Sequence, residues 1–592
     1  MSKVSRIIGS AMLILLYGFL VWLFRVPLNP NSFSFWFWAF VGSAVIYNVA
    51  STIYYFKSYN NTEADYLGRR YYVPTLMDSL YDKDKLKKTR ILIGALGFIP
   101  LIVFALWLVG SPIFSSGVYA NMLAPEEASF ADFSDKLKIE SISLMDTDSA
   151  VRVGSSELGS LSEVVSQFDD GDYYQIILNG KPQKVSPLQY VGFFSWINNR
   201  DNGTPGYVSV DPIRQNADYY ELSDIDGTGN GMRYIPSAYF GENLARHVWL
   251  ANIFSVLGES HFELDDEGHP YFVTQVMDFK TFMGARYVES VIVTDPTDGS
   301  MEHYNLDNLP EWLDVVYDGE LLDEMYDWHG AFGRGFINSL FGQIGCTRTG
   351  GDYGYVEIDG EQWIYTGVTS MGADASNIGF LLASERTAES YFIPMSSADE
   401  DSAMRSAEGK VQQFGYEASF PSLVSIDGQP TYVMVLKDDA GLIRLYAFVN
   451  AESYNIVACE SDLDSTRKAY EQAMASAGIT FTRDDQDMPA INTSDSTATQ
   501  TEVLDASGDK GDSVAPPDSN IHFSGAITSR QFVEIGGETY LYATLQSDSG
   551  NLDVLRLTFQ DYEYLCMTIT DGTHLSGNAI PAGDILVVES LD

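Results

Sequence analysis

Three stretches without a charged side chain, residues 7–24, 33–56 and 91–115, constrain this chain more than anything else in it. Each supplies the roughly 18–25 apolar positions with which an α-helix crosses a hydrocarbon core of about 30 Å. The first is too long for a signal-peptide core, lacks a small-x-small cleavage site after it and is followed by two more runs, so all three read as retained spans. Pro100 is expected to kink the third, and Trp22, Trp36, Trp38 and Trp107 suit interfacial anchoring. No span holds Asp, Glu, Lys, Arg or His, one of which a transport path usually needs. The spans therefore read as an anchor.

Orientation follows from the basic residues. Lys3 and Arg6 precede the first span, Arg25 alone lies between the first two, and Lys57, Arg69, Arg70, Lys83, Lys85, Lys87, Lys88 and Arg90 crowd the loop 57–90. The positive-inside rule puts the N-terminus and this loop in the cytoplasm and everything after the third span outside. Residues 1–90 carry a formal charge of +6 and the remainder −52, within a total of −46. Such a polyanion repels phosphates, which excludes a nucleic-acid partner. The run 82–90 can meet the headgroups of membrane lipids, although its default role is to set topology. Cys346, Cys459 and Cys566 lie far apart and are odd in number, which excludes a disulfide framework and a thiolate zinc site.

Beyond residue 120 the text becomes short apolar runs separated by turn dipeptides. Five segments share one grammar of apolar run, tight turn and second run: 175–185, 262–273, 355–368, 423–435 and 532–545. Asn179-Gly180, Asp359-Gly360 and Asp427-Gly428 supply the positive φ angles that two-residue hairpins require. The expected fold is α+β, a β-rich ectodomain of antiparallel sheets with packed helices, preceded by three transmembrane helices. Residues 484–519 hold nine acidic side chains against Lys510 and few apolar ones, the composition of a flexible linker. About five alternating runs in 520–592 predict a small OB-like or SH3-like β-barrel. The organisation expected is an anchor at 1–120, a small α+β domain at 121–230, repeat units at 231–330 and 400–483, an intermediate β unit at 331–399, the linker and the barrel.

Two hairpins sit in a larger repeated arrangement. Leu244, Val248, Ala251 and Phe254 form a helical stripe before the first, Met404, Ala407, Val411 and Phe414 one before the second, and a further hairpin follows each. This unit resembles the PepSY-like modules of bacterial cell-envelope proteins over about residues 236–310 and 400–475. The resemblance implies binding or regulation and brings no catalytic residues. The segments LSEVVSQF (161–168), PLQYVGFFSWINNRDNGTPGYVSVD, YIPSAYF and SAEGKVQQFGYEASFPSL are also similar to an uncharacterised family of membrane-anchored proteins of Gram-positive bacteria, which implies the plasma membrane as location and assigns no activity.

The most motif-like text is DIDGTGNG. Asp224, Asp226 and Thr228 alternate as in a calcium loop, with Gly229 at the sixth position, but Ile235 stands at the twelfth where a bidentate Glu belongs. A turn-rich surface loop is the default and a weak calcium site the alternative. His247 lies beside an apolar stripe and is expected half-buried and hydrogen-bonded. His261 and His269 flank a hairpin rich in carboxylates, a zinc pattern weakened by the turn between them. Glu242 and Arg246, four apart, are expected to form a surface ion pair. No nucleophile elbow, HExxH pair or Cys/His signature is present. The leading expectation is an extracytoplasmic binding, regulatory or scaffolding protein whose partner is a protein or a cell-wall component. The alternative is a hydrolase of wall glycan or peptide, which a cleft with a carboxylate pair between the repeats would favour.

Overall fold

The computed structural model describes residues 3–60, 99–161, 164, 166–225, 230–372, 376–479, 481, 521–535, 538–547, 552–558, 573–582 and 585–591. The chain forms two compact units, up to Ser496 and from Thr497.

Helices α1 (Lys3–Leu23) and α2 (Phe33–Asn60) are long and apolar enough to cross a membrane. Their contact uses small polar groups, which give helices in lipid something to hold. Ser10 Oγ donates to Asn48 Oδ1 at 3.1 Å, and the Tyr17 hydroxyl to the Trp38 carbonyl at 3.0 Å. Helices α3 (Ile99–Gly110) and α4 (Pro112–Tyr119) meet at 43° and together make a broken third candidate span. The bend falls at Ser111 and Pro112 rather than at Pro100. Pro112 begins α4, where a missing N–H costs nothing, and Ser111 Oγ turns back onto the Leu108 carbonyl at 2.6 Å.

The loop joining α1 and α2 touches the large domain. Trp249 Nε1 donates to the Val26 carbonyl at 3.1 Å, Leu28 N–H to the Ile253 carbonyl at 2.6 Å, and Asn29 Nδ2 to the Phe254 carbonyl at 3.0 Å. Where α1 and α2 each cross a membrane, the chain leaves α2 on the side away from that domain. One more crossing must bring it back, and α3 with α4 is the apolar segment available.

The large domain repeats one motif four times. Helix α5 (Thr147–Ser160) precedes strands β1 (Phe168–Asp170), β2 (Tyr174–Leu178) and β3 (Lys181–Tyr190); helix α6 (Phe193–Asn199) leads on to β4 (Gly206–Asp211) and β5 (Asn216–Glu221). Helix α7 (Leu244–Ala251) precedes β6 (Val256–Leu264), β7 (Pro270–Phe279), β8 (Arg286–Thr294) and β9 (Met301–Asn305). Helices α8 (Gly319–Phe332) and α9 (Phe336–Phe341) precede β10 (Thr347–Thr349), β11 (Gly354–Ile358), β12 (Glu361–Ser370), β13 (Ser376–Ser384) and β14 (Ser390–Ala398). Helix α10 (Glu400–Lys410) precedes β15 (Glu417–Ala418), β16 (Ser422–Ile426), β17 (Gln429–Lys437), β18 (Ile443–Asn450) and β19 (Val457–Glu460), and α11 (Leu463–Ser476) closes the unit.

Each sheet is built on an antiparallel meander around a long strand that follows a tight turn, and in the third the short strand Glu126–Glu127 adds to the edge parallel to β14. In three sheets that strand pairs along one edge with two short pieces, β1 and β2, β10 and β11, or β15 and β16. In the second sheet one strand, β6, covers the same edge, with an irregularity between Leu257 and Ser260. At the three two-residue turns both residues have positive φ, as at Asp427 (52°) and Gly428 (76°), so the Asx-Gly pairs do what their chemistry predicts. The predicted stripes end early: Leu244, Val248, Ala407 and Val411 are buried, but Phe254 and Phe414 lie past the helix ends and are exposed.

Successive meanders share cores, the first with the second, the second with the third, and the third with the fourth. The fourth touches the first through the Lys437–Asp146 ion pair and the contact of Gln215 with the Tyr446 hydroxyl. A strap, residues 310–318, threads between the sheets and is held by buried polar groups. The Glu263 carboxylate accepts the N–H groups of Asp314 (2.8 Å) and Val315 (3.0 Å), and Asp314 accepts Ile177 N–H at 2.6 Å. The Glu385 carbonyl accepts Val316 and Tyr317 N–H at 2.9 and 2.7 Å. Burial raises the carboxyl of Asp314 to about 7 and that of Glu385 to about 8.

In the second unit β20 (Ile521–Ile535), β21 (Glu538–Ser547), β22 (Leu552–Thr558), β24 (Ile585–Leu591) and β23 (His574–Ala582) close, in that spatial order, into a barrel. Its core includes Phe523, Ile527, Leu541, Leu555 and Leu557. The linker 484–519 and most of the basic loop 57–90 lie outside the described residues.

Candidate functional site

Helix α8 begins at Asp318, whose carboxylate caps it by accepting Leu321 N–H at 2.8 Å. Leu321, Leu322, Met325 and Tyr326 bury one face in the core shared with the second and third sheets. Glu320, Asp323, Glu324 and Asp327, at helical spacing, turn the other side acidic. That side walls a cleft of about 690 Å³ whose other walls are residues 348–352, Thr369, Asn377, Phe420 and the start of α10 at Asp399, Glu400 and Asp401. Eight carboxylates and Arg348 line it, with Trp328 and Phe420 as its aromatic surfaces. Negative charge at the start of α10 also suits the helix dipole, which explains part of that triplet without any ligand.

Three of the lining groups are held as if for a partner. Asp323, Asn377 and Glu400 are 9%, 1% and 8% exposed, and among the described residues Asp323 Oδ1, Asn377 Oδ1 and Glu400 Oε1 lack a hydrogen-bond partner. Buried acceptors of this kind cost stability unless something meets them. The Thr349 hydroxyl bonds Asp323 Oδ2 at 2.9 Å and Asp327 Oδ1 at 3.2 Å, which also accepts Thr349 N–H at 2.8 Å. Burial raises the Asp323 carboxyl to about 7, and the charges of Asp327, Asp352 and Glu400 add to the shift. Burial likewise raises Asp327 and Glu400, against the N–H of Thr349 and the amide of Asn377. The cleft is thus an anionic site with one carboxyl that takes up a proton near neutrality.

None of the predicted site residues that are described lines this cleft. Asp224 is exposed at the end of a short helix, Leu222–Ile225, while Asp226 and Thr228 fall outside the described residues. His247 is half-buried as expected, its Nε2 2.8 Å from the Gly299 carbonyl. His269 bonds Asp295 at 3.1 Å, whereas His261 faces the Tyr174 ring, so the two do not converge. Among the described residues no group of three or more His, Cys, Asp and Glu side chains is arranged to hold a metal. Glu242 does not pair with Arg246, because α7 starts only at Leu244 and the helical spacing does not apply. It accepts from Trp196 Nε1 at 2.8 Å and Arg200 at 3.0 Å, and Arg246 stacks on Trp22. Sequence reasoning missed the cleft, whose one local signal is the carboxylate spacing at 320, 323, 324 and 327.

Compared with known protein families and with curated proteins, the chain matches no family model and no curated sequence.

Proposed function

We propose that the chain is a binding protein of a bacterial plasma membrane, with its N-terminus cytoplasmic and its large domain extracytoplasmic, and that the acidic cleft takes a basic segment of a protein partner. The observation that carries this reading is the convergence, in one cleft of peptide-binding size, of eight carboxylates with three buried acceptors that have no partner among the described residues. Lys and Arg side chains would supply both the charge and the donors, and Trp328 and Phe420 offer faces for cations. A binding role is also what the PepSY-like resemblance of residues 236–310 and 400–475 implies. The strand order of the barrel, with β22 and β24 parallel, favours the OB type over the SH3 type for the second unit.

The test is calorimetric titration of the full chain in lipid nanodiscs with a Lys-rich peptide and a Glu-rich peptide of equal length. The Lys-rich peptide should bind, more weakly at high salt, and Asp327→Asn with Asp352→Asn should weaken it several-fold. Equal affinity for both peptides, or none for either, contradicts the reading. A second reading, hydrolysis of wall glycan or peptide, is favoured by one observation: Asp323, protonated near neutrality, shares the Thr349 hydroxyl with Asp327, an acid beside a carboxylate. Product release from purified wall that Asp323→Asn abolishes would move the assignment there.

A further inference from the structure

The large domain leaves two apolar groups uncovered. One comprises Phe194 on α6 (79% exposed), Phe240, Leu250 and Phe254. The other is the outer side of α9 and the turn after it, with Ile337, Leu340, Phe341 (83% exposed) and Ile344 at helical spacing. Patches of large apolar side chains this open mark a surface that meets something.

Both groups are tied to the ends of the candidate spans. Trp22, in the last turn of α1, lies under Arg246, whose Nη1 donates to the Phe240 carbonyl at 2.9 Å. Phe240 packs on Trp196, and Trp196 on Phe193, beside Phe194. Leu250 and Phe254 flank the backbone that the α1–α2 loop holds. On the other side α9 lies against α4, and the Tyr119 ring meets Trp328 and Phe332 of α8. Between the two, the turn after β7 touches Gly110 at the end of α3, where an added Cβ would stand 2.8 Å from the Phe282 carbonyl. In a chain of net charge −46 this side also carries Arg246 and Lys280, with Arg200 beside Trp196 and paired with Glu242.

We infer that this side of the large domain is a bilayer-docking face: the two apolar groups enter the interface of the leaflet from which the spans emerge, and the basic side chains meet its lipid phosphates. The occupant is the phospholipid surface itself, because the face is continuous with helices already in that membrane. Aromatic and basic residues are the pairing such an interface selects. The inference rests on α1 and α2 being spans. It implies that the domain is held in a fixed orientation on the membrane.

The test uses the full chain in nanodiscs of mixed phosphatidylcholine and phosphatidylglycerol, with the photo-crosslinker benzoylphenylalanine placed singly at Phe194, Phe341, Phe40 or Glu267. Phe40, exposed on α2, reports whether the spans insert. Glu267 sits in the turn at the opposite end of β7, ten residues or about 33 Å from the membrane-side turn. Intact-mass analysis after illumination should show phospholipid adducts at Phe40, and several-fold more at Phe194 and Phe341 than at Glu267. Adducts at Phe40 with Phe194 and Phe341 no higher than Glu267 would overturn the docking face while leaving the anchor intact. Protein–protein crosslinks in place of lipid adducts at Phe194 and Phe341 would overturn it too, since a second copy would then cover the face. No adduct at Phe40 would overturn the spans and the face together.

Discussion

At the residue scale the molecule buries charge in two different ways, and each makes a prediction. Arg467 and Asp427 form a buried pair at 2.6 Å, with Glu471 3.2 Å from the same guanidinium. Arg467→Ala leaves Asp427 charged in the core and should cost about 3–5 kcal/mol, measured by urea unfolding of the full chain in detergent. The carboxyls of Asp323 and Glu385 are instead raised by burial, to about 7 and about 8. Folded, they bind protons that the unfolded chain releases above about pH 4, so their contribution is complete at low pH and is lost as pH rises through about 4 to 8. The urea midpoint should therefore fall between pH 5 and pH 8.5, and Glu385→Gln should flatten that fall; an unchanged slope would show that Glu385 is not protonated at neutrality. None of this was legible in the sequence, because a carboxylate's surroundings come from segments far apart. Glu242 illustrates the failure: its partners Trp196 and Arg200 precede it by more than forty residues.

At the element scale the sequence was most informative where a few adjacent residues decide the backbone. Asx-Gly pairs fixed three tight turns because two consecutive positive φ angles are costly for other residues. Gly428→Ala should accordingly cost about 1 kcal/mol, read from the same unfolding curves, with the turn otherwise retained. Both stripes run past their helices: Phe254 follows the first and Val411 and Phe414 the second, and of these Val411 alone is buried. Gly367 on β12 shows an element shaping the site: a Cβ there would lie 2.1 Å from Asn377 Nδ2 and 2.4 Å from Glu400 Oε1. Gly367→Ala should displace both side chains and weaken Lys-rich peptide binding several-fold by calorimetry, whereas unchanged binding would remove Asn377 and Glu400 from the site.

At the scale of the whole molecule, the apolar runs and the charge asymmetry announced a membrane anchor bearing a large acidic domain, and the contacts of residues 26–29 with α7 and the residues after it add a geometric reason for an odd number of crossings. The closure of four meanders on one another, and the cleft it leaves between α8 and α10, could not be read from the sequence, because the walls are brought together only by the packing of complete sheets. An anionic receptor for basic ligands requires the cleft to face outward, opposite the basic loop. The most direct measurement of that claim is labelling of intact cells with a membrane-impermeant maleimide at single added cysteines, Glu267→Cys in the large domain and Lys85→Cys in the loop, against the unsubstituted chain as background. The account predicts labelling at 267 in intact cells and at 85 only after the membrane is opened. Labelling at 85 in intact cells with 267 protected would invert the topology and contradict it.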